Sequence, residues 1–427
     1  MPASSTLTRP TGGERVDVGG RPVCRFCRAS LSRTFCDLGM SPPSNAYRTA
    51  ADLRKPETFF PLHAYVCESC WLVQLEQFQA PHEIFTDYAY FSSYSESWLA
   101  HCRRYVETMI DRLGLGPGSR VVEVASNDGY LLQYFRQAGV PVLGIEPAAN
   151  VAEVAISKGI PTRVAFFGKA TAEAVRAEGS ADLLLGNNVL AHVPDINDFV
   201  AGLAALLGPA GTITMEFPHL LELIRHNQFD TIYHEHFSYL SLLAVQRIFA
   251  AHGLSIHDVE RLPTHGGSLR IFARHAGCGG AAAAGVAALL AEERAAGLET
   301  PAAYDAFRTR VEETKRDVLE FLIATRREGR RVVGYGAAAK GNTLLNYCGI
   351  RGDFLDYVVD RSPHKQGRFL PGTQLPILPP ERIAETKPDY LLILPWNLTD
   401  EVVGQMAGIR DWGGRFVVPI PRVTVIE

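Results

Sequence analysis

From residue 120 onward the chain alternates short unbroken apolar runs with longer amphipathic stretches. Residues 120–125 (Arg-Val-Val-Glu-Val-Ala), 140–145, 181–186 and 212–216 are apolar runs of strand length, each followed by small or polar residues. Between and after them, residues 149–158 and 240–251 carry apolar positions at helical spacing. Buried strands separated by helices predict a parallel sheet covered on both faces. Residues 254–259 and 268–273 are expected to close that sheet as a hairpin, with Thr264-His-Gly-Gly267 as the turn. An Ala-rich helix over 281–297 and a long linking helix over 301–327 follow. Strand-like runs then resume at 331–336, 356–360, 389–394 and 415–419, with a helix at 342–348. The segment before residue 95 lacks this alternation, and a helix over 95–113, stopped by Pro117 and Gly118, separates the two regimes.

Composition narrows the class. A chain of 427 residues predicts two or three domains, and 47% hydrophobic with 21% charged residues is ample for packed cores. A net charge of −4 argues against nucleic acid as the main partner. No apolar run reaches the ~20 residues that span a bilayer. The first twenty residues lack the apolar core of a signal peptide and read as a disordered leader. The expectation is a cytoplasmic protein.

Of the eight cysteines, Cys24 and Cys27 form one Cys-x-x-Cys and Cys67 and Cys70 another. Four thiolates on two knuckles suit tetrahedral Zn²⁺, as in a zinc ribbon. Redox cysteines or disulfides are the competing reading, which a cytosolic chain disfavours. Cys36 reads as a spare buried thiol, and Cys102, Cys278 and Cys348 as packing residues. Residues 85–94, dense in tyrosine and serine, suit a ligand-lining loop or an interface.

The first strand–turn–helix unit has the form of a nucleotide half-site. The strand ending at Ala125 enters the turn Ser126-Asn-Asp-Gly129, and the next strand is tipped by Glu146 and Pro147. Such an acid accepts hydrogen bonds from a ribose, and a small turn lets backbone approach the ligand. The turn is not Gly-x-Gly-x-x-Gly, so a pyrophosphate fits poorly. In an acid-x-Gly-x-Gly-x-Gly spacing it supplies Glu123 and Gly129, with Ala125 and Asn127 in the other two places. S-adenosylmethionine, which has no phosphate, fits better. Asn187 ends the following strand, at the carboxyl edge where ligands collect, with His192 just beyond.

The densest chemistry lies in Asp230-Thr-Ile-Tyr-His-Glu-His-Phe-Ser-Tyr239. Two imidazoles, a carboxylate and a phenol side by side suit acid–base catalysis. A solvated polar loop and a His-x-His metal site are the competing readings. In an extended backbone His234 and His236 share one side, so Glu235 joins them only through a turn.

Taken together these motifs resemble a known family. Its marks are the paired Cys-x-x-Cys module, Glu-Val-Ala-Ser-Asn-Asp-Gly (123–129), Glu-Phe-Pro-His (216–219) and Tyr-His-Glu-His-Phe-Ser-Tyr (233–239). His-Gly-Gly-Ser-Leu-Arg (265–270), Gly-Tyr-Gly-Ala-Ala-Ala-Lys-Gly-Asn (334–342) and Leu-Pro-Trp-Asn (394–397) complete the set. The chain resembles the S-adenosylmethionine-dependent C-methyltransferases of nucleotide-linked 4-keto-deoxysugars in antibiotic biosynthesis. The nearest likeness is to the C-3 methyltransferases of branched sugars such as tetronitrose. The resemblance implies an α/β protein in three parts: a zinc-ribbon-like module (21–80), a central Rossmann-like class I methyltransferase (81–300), and a C-terminal Rossmann-like domain (301–427). The last is expected to contact the sugar nucleotide, a dTDP-sugar by the resemblance, rather than the methyl donor.

Carbon beside a ketone becomes nucleophilic only when a proton leaves, and the enolate then needs its charge held. His236 is the expected base, with Tyr233 and Glu235 orienting it or the substrate, and His192 and Tyr88 completing the pocket. Tyr90, His219, Lys340 and Asn342 are expected to meet the substrate. Two rivals remain. The pattern Gly334-Tyr-Gly336-Ala-Ala-Ala339, with Asp360 ending the next strand, suits a nicotinamide dehydrogenase or epimerase. A non-catalytic zinc-ribbon adaptor is the other, favoured only by the small basic cluster Arg25, Arg28 and Arg33.

Overall fold

The computed structural model describes residues 20–80, 92–94 and 96–427. Residues 1–19 of the expected leader, Tyr88 and Tyr90 therefore lie outside the described residues.

Strands β1 (Arg33–Ser41), β2 (Phe60–Val66) and β3 (Val73–Leu75) form an antiparallel meander beside the cysteine knuckles. The four Sγ atoms of Cys24, Cys27, Cys67 and Cys70 lie within 4.8 Å of one another. A tetrahedron with Zn–S bonds of 2.3 Å has its sulfurs about 3.8 Å apart. The Cys24–Cys70 and Cys27–Cys67 separations of 3.6 and 3.5 Å fit that geometry. Gln74 Nε2 donates to Cys24 Sγ at 3.2 Å, the kind of outer bond that orients a thiolate ligand. Zinc, when bound, cross-links two knuckles too small to hold a core of their own. Cys36 is buried in β1, and burial pushes its thiol up, as expected of a packing residue.

The central unit begins with helix Glu96–Leu113. Strands β4 (Val121–Val124), β5 (Val142–Glu146), β6 (Thr162–Val164), β7 (Ala181–Asn187) and β8 (Leu207–Pro218) then run parallel. All four residues of β4 are buried, the signature of a strand covered on both faces. After β8 the chain does not continue into this sheet. Strand β9 (Ser238–Tyr239) instead pairs antiparallel with β3 of the zinc module. The chain then returns through β10 (Leu254–Leu262) and β11 (Ser268–His275), which pair as the expected hairpin. The seven-stranded order is β10-β11-β8-β7-β4-β5-β6, with β11 antiparallel to β8.

Helix Pro301–Arg327 starts with proline in its first turn, where no N–H is needed. It does more than link. Phe307 stacks on Phe35 of β1 (4.6 Å), Tyr304 stacks on Trp71 (6.0 Å), and Asp305 pairs with Arg33 (3.2 Å). Strands β12 (Val332–Tyr335), β13 (Val358–Val359), β14 (Ile377–Leu378), β15 (Tyr390–Ile393), β16 (Arg415–Val418) and β17 (Thr424–Ile426) build a third sheet. Its order, β14-β13-β12-β15-β16-β17, is that of a Rossmann unit. Among the described residues no helix is long and apolar enough to cross a membrane.

His219 takes a structural place. Its Nε2 lies 2.7 Å from Glu293 Oε1, and Glu293 also accepts from the N–H groups of Leu242 (2.7 Å) and Leu243 (2.8 Å). That carboxylate therefore caps helix Leu242–Ala251 and welds helix Ala284–Ala295 to it. Truncating it leaves an imidazole and two amides buried without a partner. Glu293→Ala is accordingly expected to cost about 3–5 kcal/mol in urea unfolding, the range for breaking a buried pair.

Candidate active site

Two segments carry the histidines, and neither is regular secondary structure of any length. Leu190–His192 is one 3-10 turn after β7, and Phe229–Thr231 is another that leads into the Tyr-His-Glu-His stretch. A turn closed by His236 N–H to the Tyr233 carbonyl (2.9 Å) carries the stretch, and the Glu235 carboxylate within it meets Asn45. His234 is turned elsewhere. Its Nε2 faces the Pro61 carbonyl (3.2 Å) and its ring meets Phe60 edge-on (5.9 Å), so it packs on β2.

A carbonyl only accepts, so the tautomers follow from the contacts. His236 Nδ1–H donates to Thr231 O (2.9 Å), which leaves Nε2 as the basic nitrogen, 2.9 Å from the Tyr233 hydroxyl that donates to it. His192 Nδ1–H donates to Glu235 O (2.8 Å), and the two imidazoles meet at 4.6 Å between centroids. Burial holds His236 well below the usual imidazole range, and the neighbouring His192 adds to that. Burial also pushes His192 down to about 4. Both are neutral at physiological pH. Burial acts in the opposite sense on Glu235, pushed up to about 7, with Asn45 Nδ2 donating to its Oε1 at 2.6 Å. Neutral imidazole, phenol and a carboxyl balanced near neutrality make a site for moving protons. The two histidines of the stretch turn to different neighbours, His234 to Pro61 and Phe60 and His236 to Thr231 and Tyr233.

The third wall comes from the C-terminal unit. Lys340 Nζ donates to Asn397 Oδ1 (3.0 Å) and lies 4.5 Å over the Trp396 ring. Trp396 Nε1–H donates to Asp230 Oδ2 (2.8 Å), and burial pushes Asp230 up to about 6. Desolvation lowers Lys340, opposed by the charge of Asp230. Asn342, two residues on in the same helix, is wholly buried, with both amide atoms unpartnered among the described residues. A hydroxyl-to-carbonyl bond from Thr343 to Ile232 (3.0 Å) seats this helix on the Tyr-His-Glu-His stretch. Asn45, Tyr47, Asp230 and Trp396 were not expected as site residues. The Leu-Pro-Trp-Asn motif was the available signal for Trp396. Nothing local in the sequence marks Asn45.

The nucleotide half-site is built around β4 and β5. Ala125, Asn127 and Gly129 adopt φ of 56°, 49° and 75°. A Cβ on Gly129 would lie 2.3 Å from Ile160 Cδ1, so glycine is required there. Glu146 Oε2 accepts from Asn127 N–H (2.9 Å) and Oε1 from Ala148 N–H (2.8 Å), which ties Pro147 and the turn together. Each carboxylate oxygen keeps a second lone pair for a ribose hydroxyl. Glu123 is fully buried, faces the Tyr130 phenol, and burial raises it well above the usual carboxylate range. Asn187 Nδ2 is buried at the end of β7 with no partner among the described residues, as an atom awaiting a ligand would be.

The second Rossmann turn is closed over. A Cβ on Gly336 would lie 2.5 Å from Pro395. Ala337 N–H is taken by Asp360 Oδ2 (2.8 Å), and Ala337 O by the Tyr47 hydroxyl (2.6 Å) and Lys365 Nζ (3.0 Å). The atoms that would cradle a nicotinamide dinucleotide are thus engaged with the protein itself, against the dehydrogenase reading.

Comparison with known proteins matches three family models in order. These are a zinc binding domain over residues 24–85, a methyltransferase domain over 98–259, and a C-methyltransferase C-terminal domain over 263–421. The C-methyltransferase NovU of Streptomyces niveus is 39% identical over 410 residues, covering 95% of this chain and 98% of its own. A ubiquinone biosynthesis O-methyltransferase of Rhodopseudomonas palustris is 28% identical over 99 residues, 23% of this chain and 39% of that protein. Among solved structures, an S-adenosylmethionine-dependent methyltransferase from Clostridium acetobutylicum aligns with 42% of this chain and 92% of its own at 10% identity, with a TM-score of 0.35.

The raised carboxyl of Glu235 makes a stability prediction. The folded chain holds that proton more tightly than the unfolded one. Stability from this group is therefore full below the ordinary carboxyl pKa of 4.5 and is lost as pH rises through about 7. A shift of that size is worth about 3 kcal/mol. Glu235→Gln is expected to be more stable than the parent at pH 8 and equal to it near pH 4.5, read by urea denaturation at both.

Proposed function

The chain belongs to the S-adenosylmethionine-dependent C-methyltransferases, and within that family we propose that it methylates C-3 of a dTDP-linked 4-keto-deoxysugar. S-adenosylmethionine, when bound, supplies the electrophilic methyl group. Glu123, Ala125, Asn127, Gly129, Glu146, Pro147 and Asn187 are the residues assigned to hold it.

One observation carries the reading. His236 presents a neutral imidazole whose Nδ1–H is fixed by a backbone carbonyl and whose Nε2 meets the Tyr233 phenol. In the proposed step Nε2 takes the C-3 proton, and the electron pair moves to the C-4 oxygen. Tyr233, rotated from Nε2 to that oxygen, donates to the enolate. The C-4 carbonyl then re-forms as C-3 takes the methyl group, and the methyl–sulfur bond breaks with its electron pair going to sulfur. S-adenosylhomocysteine leaves, and His236 returns its proton to solvent. A base held well below its ordinary pKa is weak by itself. The negative charge of the diphosphate and of the enolate offsets this by stabilising the imidazolium as it forms. His192 packs against the base, and Glu235 fixes His192 through its carbonyl. Lys340 is the assigned diphosphate contact, and Asn342 is assigned to the substrate as well. The resemblance of the motifs supports the sugar nucleotide and an antibiotic context in the cytoplasm. Tyr88 and Tyr90 are assigned to the same pocket by sequence.

His236→Asn is expected to lower methyl transfer by roughly 10²–10⁴-fold. The same variant should abolish deuterium exchange at C-3 in D₂O without methyl donor. Near-normal exchange in a folded variant removes His236 from the mechanism. A panel of 3-amino and 3-hydroxy sugar nucleotides, followed by mass, identifies the substrate. Glu146→Ala is expected to weaken S-adenosylmethionine binding roughly 10- to 100-fold in calorimetry, the worth of a hydrogen bond to a charged group. Unchanged affinity would put the ribose elsewhere.

A further inference from the structure

Arg25 lies inside the first zinc knuckle, between Cys24 and Cys27, yet its bonds lead to the two histidines. Its backbone N–H donates to Gln74 Oε1 (2.8 Å), the same side chain whose amide donates to Cys24 Sγ. Its Nη1 donates to the Pro194 carbonyl (2.7 Å), two residues beyond His192. Its Nη2 donates to the Leu75 carbonyl in β3, and its guanidinium lies 5.4 Å over the Phe237 ring, next to His236. Leu75 N–H in turn donates to Phe237 O (3.1 Å), and Phe237 N–H to Ala191 O (2.7 Å). From the other side, Asn197 Nδ2 donates to the carbonyl of Phe26 (3.0 Å) and, at 3.3 Å, to that of Arg25 itself. One buried side chain thus spans the segment carrying His192 and the strand that pairs with the segment carrying His236.

We propose that Arg25 is a positioning residue for the reaction, setting the separation of His192 and His236 from within the zinc knuckle. The idea rests on the proposed role of His236 but is tested apart from it. A guanidinium presents two donors in a rigid fork and holds two carbonyls at once, whereas a lysine ammonium is a point donor on a flexible stem. Neither histidine segment has the length to fix its own geometry; the Phe237–Ala191 bond joins them at one point, and the fork adds a second. An error near 1 Å in such a constellation costs about 10²-fold in rate.

The test compares Arg25→Lys and Arg25→Gln with the parent as zinc-loaded protein. Zinc stoichiometry comes from a colorimetric release assay, and imidazole ¹⁵N signals are assigned with His192→Asn and His236→Asn. Arg25→Lys is expected to keep its zinc and melting temperature, to shift the His192 and His236 signals, and to lose roughly 10- to 100-fold in kcat with KM for both substrates nearly unchanged. Arg25→Gln should show the same pattern more strongly. Unmoved imidazole signals with parental kcat overturn the proposal. Loss of zinc from both variants also overturns it, since Arg25 then serves the metal site rather than the histidines. Shifted signals in Arg25→Lys alongside full activity of His236→Asn leave the positioning standing and dismiss the base assignment instead.

Discussion

The site depends on a two-residue strand. Ser238 and Tyr239 pair with Gln74 and Val73 of β3, directly after the Tyr-His-Glu-His turn. A strand of that length has no independent stability. It holds because β3 belongs to a meander clamped at the cysteine knuckles, and because Phe237 bonds to both Leu75 and Ala191. The metal-binding module is therefore joined to the Tyr-His-Glu-His stretch by main-chain hydrogen bonds. Its folding and the placement of His236 are one problem rather than two.

Burial then sets the chemistry. The same desolvation that lowers His192 and His236 raises Glu235 and Asp230, because in each case the charged form is disfavoured. An interior that disfavours the charged forms of its imidazoles and of the Glu235 and Asp230 carboxyls is suited to proton transfer. It is poorly suited to holding standing charge. Lys340 is the exception at the rim, with a ring and an amide oxygen as its company.

The two Rossmann units share one device and diverge in its use. Glu146 and Asp360 each end or follow a second strand and bond back to an amide of the first turn. In the central unit Asn187 Nδ2 stands at the strand ends with no partner among the described residues. In the C-terminal unit Tyr47, Lys365 and Pro395 close over the turn. A motif that reads as a cofactor site in one dimension becomes a joint between units in three.

What the sequence determined by itself is local: the knuckle spacing, the periodicity of the two sheets, the hairpin 254–273, and the crowding of proton-handling groups at 233–236. These follow from near-neighbour geometry, which a linear pattern records. Tertiary structure alone decided that His219 caps a helix through Glu293 and that His234 packs on Phe60. The same holds for Asn45, which reaches Glu235 across 190 residues. The reason is physical. A buried polar side chain is specified by whichever partner satisfies it, and when that partner comes from a distant segment the chain carries no periodic trace of the pairing.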